Sequence, residues 1–513
     1  MLAKCYSGAI SGVDAKVVEI EVNSIAGMTS FAIVGLPDVA VKEAKDRVST
    51  AIRNSLFQPK RDLSITVNLA PADVKKEGPI YDLPIAIALL QSTKRLSCNH
   101  LDDFALAGEL ALSGEVRRIK GALPIAIAMK AIGKKAILLP QENALEASVV
   151  DGIDVIPVTC LREAAAYLSG EIDIAPVHTD LAEMIMKSNA YIDDFADIKG
   201  QETVKRAVEV AVAGGHNILL IGSPGSGKTM IARRIPSILP PMSVAEAIEV
   251  SKIHSVAGAS KSTSGFVAIR PFRAPHHTVS SIGLLGGGTR PVPGEVSLAH
   301  RGVLFLDEFA EFPRSALEVL RQPLEDGHVA VARAAAAYDF PSRFMLIAAM
   351  NPCPCGYYND PTHECKCSIS QILKYQRRIS GPLLDRIDIQ CGVGAVPVRD
   401  LERMSPGEPS ARILERVVAA RAIQRERYRS MPGVHTNSEA RSRDLNDICK
   451  LTIAGREEVH RVIDALKLSA RAYDRILRVA RTIADLAGRD QVDISDIYEA
   501  STYRRMDGES FWL

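Results

Sequence analysis

The segment that most narrows what this chain can fold into is Gly222, Ser223, Pro224, Gly225, Ser226, Gly227, Lys228 and Thr229, which fits G-x-x-x-x-G-K-[ST] at every position. Before it, His216 to Ile221 is short and apolar like a buried strand. After it, Met230 to Arg234 reads as the first turns of a helix. A strand, a glycine-rich turn and a helix in that order can cradle phosphates. Backbone N–H groups turn inward, Lys228 reaches the β and γ oxygens, and the Thr229 hydroxyl is placed to hold Mg²⁺. The pattern predicts a nucleoside triphosphate bound to an α/β sheet.

Two later runs extend that prediction. Gly302 to Leu306 is apolar and empties into Asp307 and Glu308, as expected of a buried parallel strand ending in a site at its C-terminal edge. This is a Walker B pattern, in which Asp307 holds Mg²⁺ through water. Glu308, next along the strand, points elsewhere and can polarise the attacking water. Arg343 to Met350 is again apolar and ends in Asn351, whose amide can orient that water against the γ-phosphate.

With 513 residues the chain has room for roughly three domains. Its 62 basic and 61 acidic residues nearly cancel, so any nucleic-acid surface must be local. The N-terminus lacks a signal-peptide pattern, and no unbroken apolar run of about twenty residues occurs, so a cytoplasmic protein without a membrane partner is expected. Nine cysteines in such a chain argue for thiols or metal rather than disulfides. Cys353, Cys355, Cys365 and Cys367 form C-x-C-x9-C-x-C, with Gly356, Asn359, Asp360 and Pro361 marking a turn between the pairs. Two close pairs can meet as four thiolates around a tetrahedral ion, Zn²⁺ being the natural occupant. His363 can replace one thiolate, and four reduced thiols on a loop are the alternative. Cys5, Cys98, Cys160, Cys391 and Cys449 read as small core residues.

The P-loop, the Walker B pair, the Asn after a third strand and Ser380-Gly381-Pro382-Leu383-Leu384-Asp385-Arg386-Ile387-Asp388 stand in the order of an AAA+ ATPase. Their wording resembles the magnesium-chelatase-subunit-like, MCM-related branch, and most closely the ComM/YifB family, over essentially the whole chain. That resemblance implies that Arg386 is an arginine finger acting on a neighbouring subunit's nucleotide. It implies that Arg471, after Ser469-Ala470, is the sensor-2 arginine; Arg475 and Arg478 share its helix face as alternatives. Phe195 to Gln201 matches the family's segment flanking the adenine. The stretch from Arg270 through His277 to Pro291 is similar to the branch's helix-2 insert, and Gly327 to Tyr338 to its pre-sensor hairpin. Such loops point into a ring's pore, which makes Arg290 and Arg333 the candidate DNA contacts. No carboxylate-histidine spacing surrounds His276 and His277, so they read as structural.

Ahead of the P-loop, alternation in Ala15 to Val22 and Ser64 to Leu69 reads as strand. Val39 to Phe57 has helical spacing, started by Asp38, so this is a separate mixed unit. Its second half resembles the proteolytic domain of Lon, which has the ribosomal S5 domain 2-like fold. The Ser-bearing loop of Lon reads here Lys76-Glu77-Gly78-Pro79-Ile80-Tyr81-Asp82, and Lys120-Gly121-Ala122-Leu123 stands where the base should follow a Gly pair. Without nucleophile and base no acyl-enzyme forms. The expected architecture is an α/β chain. It comprises a Lon-like α+β domain at 1–170, a linker at 171–192, an AAA+ core at 193–402 with the four-cysteine insertion at 353–367, and a helical lid at 403–513. Arg412, Arg416, Arg421, Arg425, Arg427 and Arg429 on the first lid helix form either a solvated face or a nucleic-acid or intersubunit face. By resemblance the function is that of a homo-hexameric, ATP-driven DNA motor. It would be a helicase or branch-migration factor on single-stranded and branched DNA, working with recombination proteins on DNA imported in natural transformation. The alternative is a chelatase-like or protein-remodelling ATPase with a protein partner.

Overall fold

The computed structural model of the protein describes residues 2–57, 62–187, 193–259, 265–288, 291–333, 336–396, 399, 404–466 and 469–504. In the N-terminal unit, β1 (Leu2–Ser11) and β2 (Asp14–Ala26) form an antiparallel hairpin with Leu2 opposite Asn23. They are flanked by β3 (Ser30–Val34), β4 (Leu63–Ala70), β5 (Phe104–Leu106), β6 (Ala136–Pro140) and β7 (Asp154–Val158) in the order β3-β4-β2-β1-β5-β6-β7. Alternate residues Val18, Ile20 and Val22 of β2 are buried, the period of two that a one-sided sheet imposes. Helices Asp82–Ser92 and Ala122–Ala131 cover that face. Asp38 caps a helix as expected, its carboxylate accepting the Val41 N–H at 2.8 Å, but the helical stretch is broken at Glu43 into Val39–Lys42 and Ala44–Asn54.

The polar stretch after Gly170 is folded as far as Lys187. Helix Leu181–Lys187 places Leu181 and Ile185, one turn apart, in the N-terminal core. Residues 188–192 lie outside the described residues.

The second unit is built on a five-stranded, wholly parallel sheet. Its strands are β8 (Ile218–Ile221), β9 (Phe272–Arg273), β10 (Val303–Leu306), β13 (Met345–Met350) and β14 (Ile389–Gly392), in the order β9-β10-β13-β8-β14. Between β10 and β13 the hairpin β11 (His328–Arg333) and β12 (Ala336–Pro341) stands apart from the sheet. Every residue of β8, β10 and β13 is buried, because helices cover both faces. Ile218, Leu220, Val303, Phe305, Ile347 and Ala349 face one core, and the residues between them face the other. The lid helices Ser410–Arg427, Ile453–Leu466, Ala470–Leu486 and Ile494–Thr502 share the first of these cores through Val417, Ile476 and Ile483.

Three arginines of the first lid helix are structural. Arg416 pairs with Glu209 and Glu408, Arg421 donates to the Val212 carbonyl at 2.9 Å, and Arg427 holds the buried Asp485 at 2.5 to 2.7 Å. A single nucleic-acid face along that helix is therefore not what these residues form.

The two units are joined through helix Val244–Ala257, started by a Ser243/Glu246 capping box and ended by Gly258 in the left-handed conformation. Met242, Ala247 and Val250 enter the N-terminal core. The Gly121 N–H donates to the Ser255 carbonyl at 3.2 Å, and the Ser255 hydroxyl donates to the buried Glu146, which also accepts the Leu123 N–H at 3.3 Å. The segment where a Lon-type base belongs is thus covered by the ATPase unit. Ile80, at the nucleophile's position, is buried in the same core.

Candidate active site

The glycine-rich loop leaves the C-terminal end of β8 and enters helix Lys228–Arg234 through Gly227, whose φ of 92° needs no side chain there. The Lys228 ammonium turns back on its own loop. It donates to the carbonyls of Gly222 at 2.7 Å and Ser223 at 2.9 Å and to Asn351 Oδ1 at 3.2 Å. Burial lowers its pKa below the ordinary lysine value, against an opposing pull from Asp307. Each of those acceptors is weaker than a phosphate oxygen, so a triphosphate entering the loop can take the ammonium over. Gln201, itself at φ 54°, steadies the loop from outside by donating to the Ser226 carbonyl at 2.8 Å and the Gly394 carbonyl at 2.9 Å.

The Thr229 hydroxyl donates to Asp307 Oδ2 at 2.7 Å. Adjacent oxygens on Mg²⁺ stand about 2.9 Å apart, so a hydroxyl and a carboxylate held this close are a donor set that fits the ion and its waters. Glu308 diverges from Asp307. It has φ 52°, its N–H donates to Asp307 Oδ1 at 2.9 Å, and its carboxylate lies 3.0 Å from His277 Nδ1. His277 packs against His276 with ring centroids 4.1 Å apart and the planes tilted by 35°, and it meets Phe312 edge-on. The expectation that His277 is merely structural missed this contact. β9 and β10 are parallel neighbours, so the chain after each leaves the sheet at the same edge. Sequence spacing gives no sign of that juxtaposition.

Arg386 and Arg471 are elsewhere. Arg386 precedes β14, and Asn217, which precedes β8, donates to its carbonyl at 2.8 Å. Both residues therefore sit at the N-terminal edge of the sheet, whereas the phosphate loop leaves the C-terminal edge, one strand length of about 13 Å away. The Arg386 side chain is 17% exposed; it pairs with Glu325 and donates to the Pro382 carbonyl at 2.7 Å. Arg471, 73% exposed, lies 3.6 Å from Asp385, and the buried Arg475 lies 3.5 Å from the same carboxylate. One carboxylate thus gathers the lid arginines beside Arg386, at the edge opposite their own P-loop. Of the pore-loop candidates, Arg290 lies outside the described residues; Arg333 ends β11, its side chain also outside the description.

The four cysteines meet. Cys353 Sγ is 3.4 Å from Cys355 Sγ and 3.7 Å from Cys365 Sγ, Cys355 and Cys365 are 3.6 Å apart, and all four sulfurs lie within 4.8 Å of one another. Sulfurs tetrahedrally bound at 2.3 Å to zinc are separated by about 3.8 Å, and a disulfide needs about 2.05 Å. The donor set fits zinc. His363 is turned away from the sulfurs, its ring stacked on Tyr357 at 4.7 Å and bonded to Thr362.

Family models match the chain in three stretches. "Magnesium chelatase, subunit ChlI" matches residues 194–401, "Subunit ChlI of Mg-chelatase" matches 20–143, and "Magnesium chelatase, subunit ChlI C-terminal" matches 407–504. The chain is 42% identical over 510 residues to competence protein ComM of Haemophilus influenzae, covering 98% of each. The chain belongs to the magnesium-chelatase-like ComM/YifB family. YifB of Escherichia coli, itself uncharacterized, is 42% identical over 509 residues, 99% of this chain and 97% of its own. A shorter likeness of 36% over 109 residues, 21% of this chain and 23% of the relative, links it to the DNA repair protein RadA of Aquifex aeolicus. Membership of this AAA+ family makes the chain an ATPase that uses ATP with Mg²⁺. Among the described residues no helix is long and apolar enough to cross a membrane.

Proposed function

We propose that this ComM/YifB-family chain is an ATP-driven DNA motor that assembles as a homo-hexameric ring and hydrolyses ATP between protomers. The observation carrying this reading is the position of Arg386 at the sheet edge opposite its own phosphate loop. A guanidinium there can meet a γ-phosphate only if a second copy brings one. In this account Lys228 exchanges its loop carbonyls for phosphate oxygens, and Thr229 and Asp307 hold Mg²⁺. Glu308, once free of His277, polarises the water that Asn351 orients. Arg386, released from Glu325, stabilises the charge developing in the neighbouring site, and Arg471 supports it from the lid. The Lon-like N-terminal domain, having lost proteolysis, braces the ring, and the four cysteines hold zinc.

The DNA assignment is supported by the names of two relatives, a competence protein and a DNA repair protein. It places the chain in the cytoplasm as a helicase or branch-migration factor, acting with recombination proteins on DNA imported in natural transformation; Arg290 and Arg333 are the proposed DNA contacts. The chelatase-like, protein-remodelling alternative rests on the family description and shares every nucleotide residue. ATP turnover and unwinding measured on forked DNA separate the two. Stimulation with strand separation is expected, and turnover indifferent to DNA, together with one stoichiometric protein client, overturns the DNA reading.

A further inference from the structure

In the fold the four-cysteine module leans on the phosphate loop. Gly356, next to Cys355, has φ 89° and lies so close to the Pro224 ring that a Cβ there would stand 2.5 Å from Pro224 Cδ. Asp360, in the turn between the two cysteine pairs, lines one cavity together with Ser223 of the loop. Asn351, two residues before Cys353, accepts from Lys228. On the far side Gln376, at the end of the helix that follows the module, donates to the Pro352 carbonyl at 3.0 Å. A cavity of about 220 Å³ lies between the module's turn, the start of the loop at Ile221 to Ser223, and the chain leaving β14 at Gly392 to Ala395. The Gln376 Oε1 atom is buried and has no partner among the described residues. The lid arginines gather at the opposite edge of the sheet, so the module, rather than the lid, walls this side of the loop.

The module has almost no core to hold it. Among its described residues Cys353 alone is a buried hydrophobic side chain, so its shape depends on the four sulfurs being drawn together. Whatever draws them together also fixes Gly356 against Pro224, Asp360 in the cavity wall it shares with Ser223, and the backbone from which Asn351 accepts from Lys228.

We propose that the four-cysteine module is a wall of the nucleotide site, so that metal held by the cysteines and ATP held by the loop each strengthen the binding of the other. The inference rests on the readings that the cluster holds zinc and the loop binds ATP. By linkage the two effects are one coupling free energy and have the same magnitude in either direction.

The test uses the full-length, zinc-loaded protein. Zinc release to a chromogenic chelator is followed with and without a non-hydrolysable ATP analogue and Mg²⁺, and affinity for a fluorescent ATP analogue is measured on loaded and stripped protein. Bound nucleotide is expected to raise the chelator concentration that strips half of the zinc at equilibrium about five-fold or more, and stripping to weaken nucleotide binding by a similar factor. Lys228→Ala, which removes the nucleotide, is expected to abolish the protection. Gly356→Ala keeps all four thiols and is expected to keep its zinc while losing nucleotide affinity, because the added methyl meets Pro224. Zinc release indifferent to nucleotide, or Gly356→Ala binding ATP as the wild type does, overturns the coupling and leaves the zinc and ATP readings standing. A protein that retains no zinc overturns the metal reading and the coupling with it.

Discussion

At the scale of single residues the groups of the site already have partners within the chain. Lys228 bonds to carbonyls, Glu308 to His277, and Arg386 to Glu325, so each group has a partner that it must leave before hydrolysis. His277→Ala is therefore expected to raise ATP turnover in the absence of DNA and to shrink the stimulation by DNA. Turnover unchanged by the substitution in both conditions would contradict a holding role for the imidazole. Lys228 yields a pH prediction. Burial lowers its pKa, so between that lowered value and the ordinary lysine value the unfolded chain binds more protons than the folded one. Stability of the nucleotide-free protein contributed by this group rises with pH across that window, while ATP affinity falls because the neutral amine no longer attracts phosphate. Binding and thermal melts followed as the pH rises towards the ordinary lysine range of about 10 are expected to move in opposite directions.

Among the elements, strands β8, β10 and β13 were legible as sequence because a parallel strand covered on both faces is apolar at every position. The four cysteines were legible for a different reason: their two pairs fall close enough in sequence to meet across one turn. What spacing could not give is which strand lies beside which. That order brings His277 to Glu308, and it carries Arg471 to Asp385 instead of to its own P-loop. Helix Leu181–Lys187 was hidden as well, since two apolar residues one turn apart are too few to stand out in a polar stretch. The lid's first helix separates two readings of its arginines. Arg427, 17% exposed, supports the fully buried Asp485. Arg481 remains beside that carboxylate, so Arg427→Ala is expected to cost about 2–3 kcal/mol, toward the low side of breaking a buried ion pair. It should lower the melting temperature, whereas a residue serving only DNA would leave stability unchanged.

For the molecule as a whole, the two ends of one ATP reaction are proposed to lie on opposite edges of one sheet. Lys228, Thr229, Asp307 and Asn351 converge at the C-terminal edge, and Arg386 waits at the other with Arg471 near it. On that reading a chain presents half a site on each side, and the proposed closed ring would complete every site. Specific activity is therefore expected to fall on dilution as the assembly dissociates, measured by turnover against protein concentration. Arg386→Ala should bind ATP with undiminished affinity and lose about 10³-fold or more in turnover. The most direct measurement combines two inactive proteins, Lys228→Ala, which keeps its finger but cannot bind ATP, and Arg386→Ala, which binds ATP but lacks the finger. When they are co-expressed and purified as mixed assemblies, ATP hydrolysis that neither shows alone is predicted to return. Mixed assemblies as inert as their parents, or an Arg386→Ala protein that turns over ATP at the wild-type rate, would contradict a site shared between protomers.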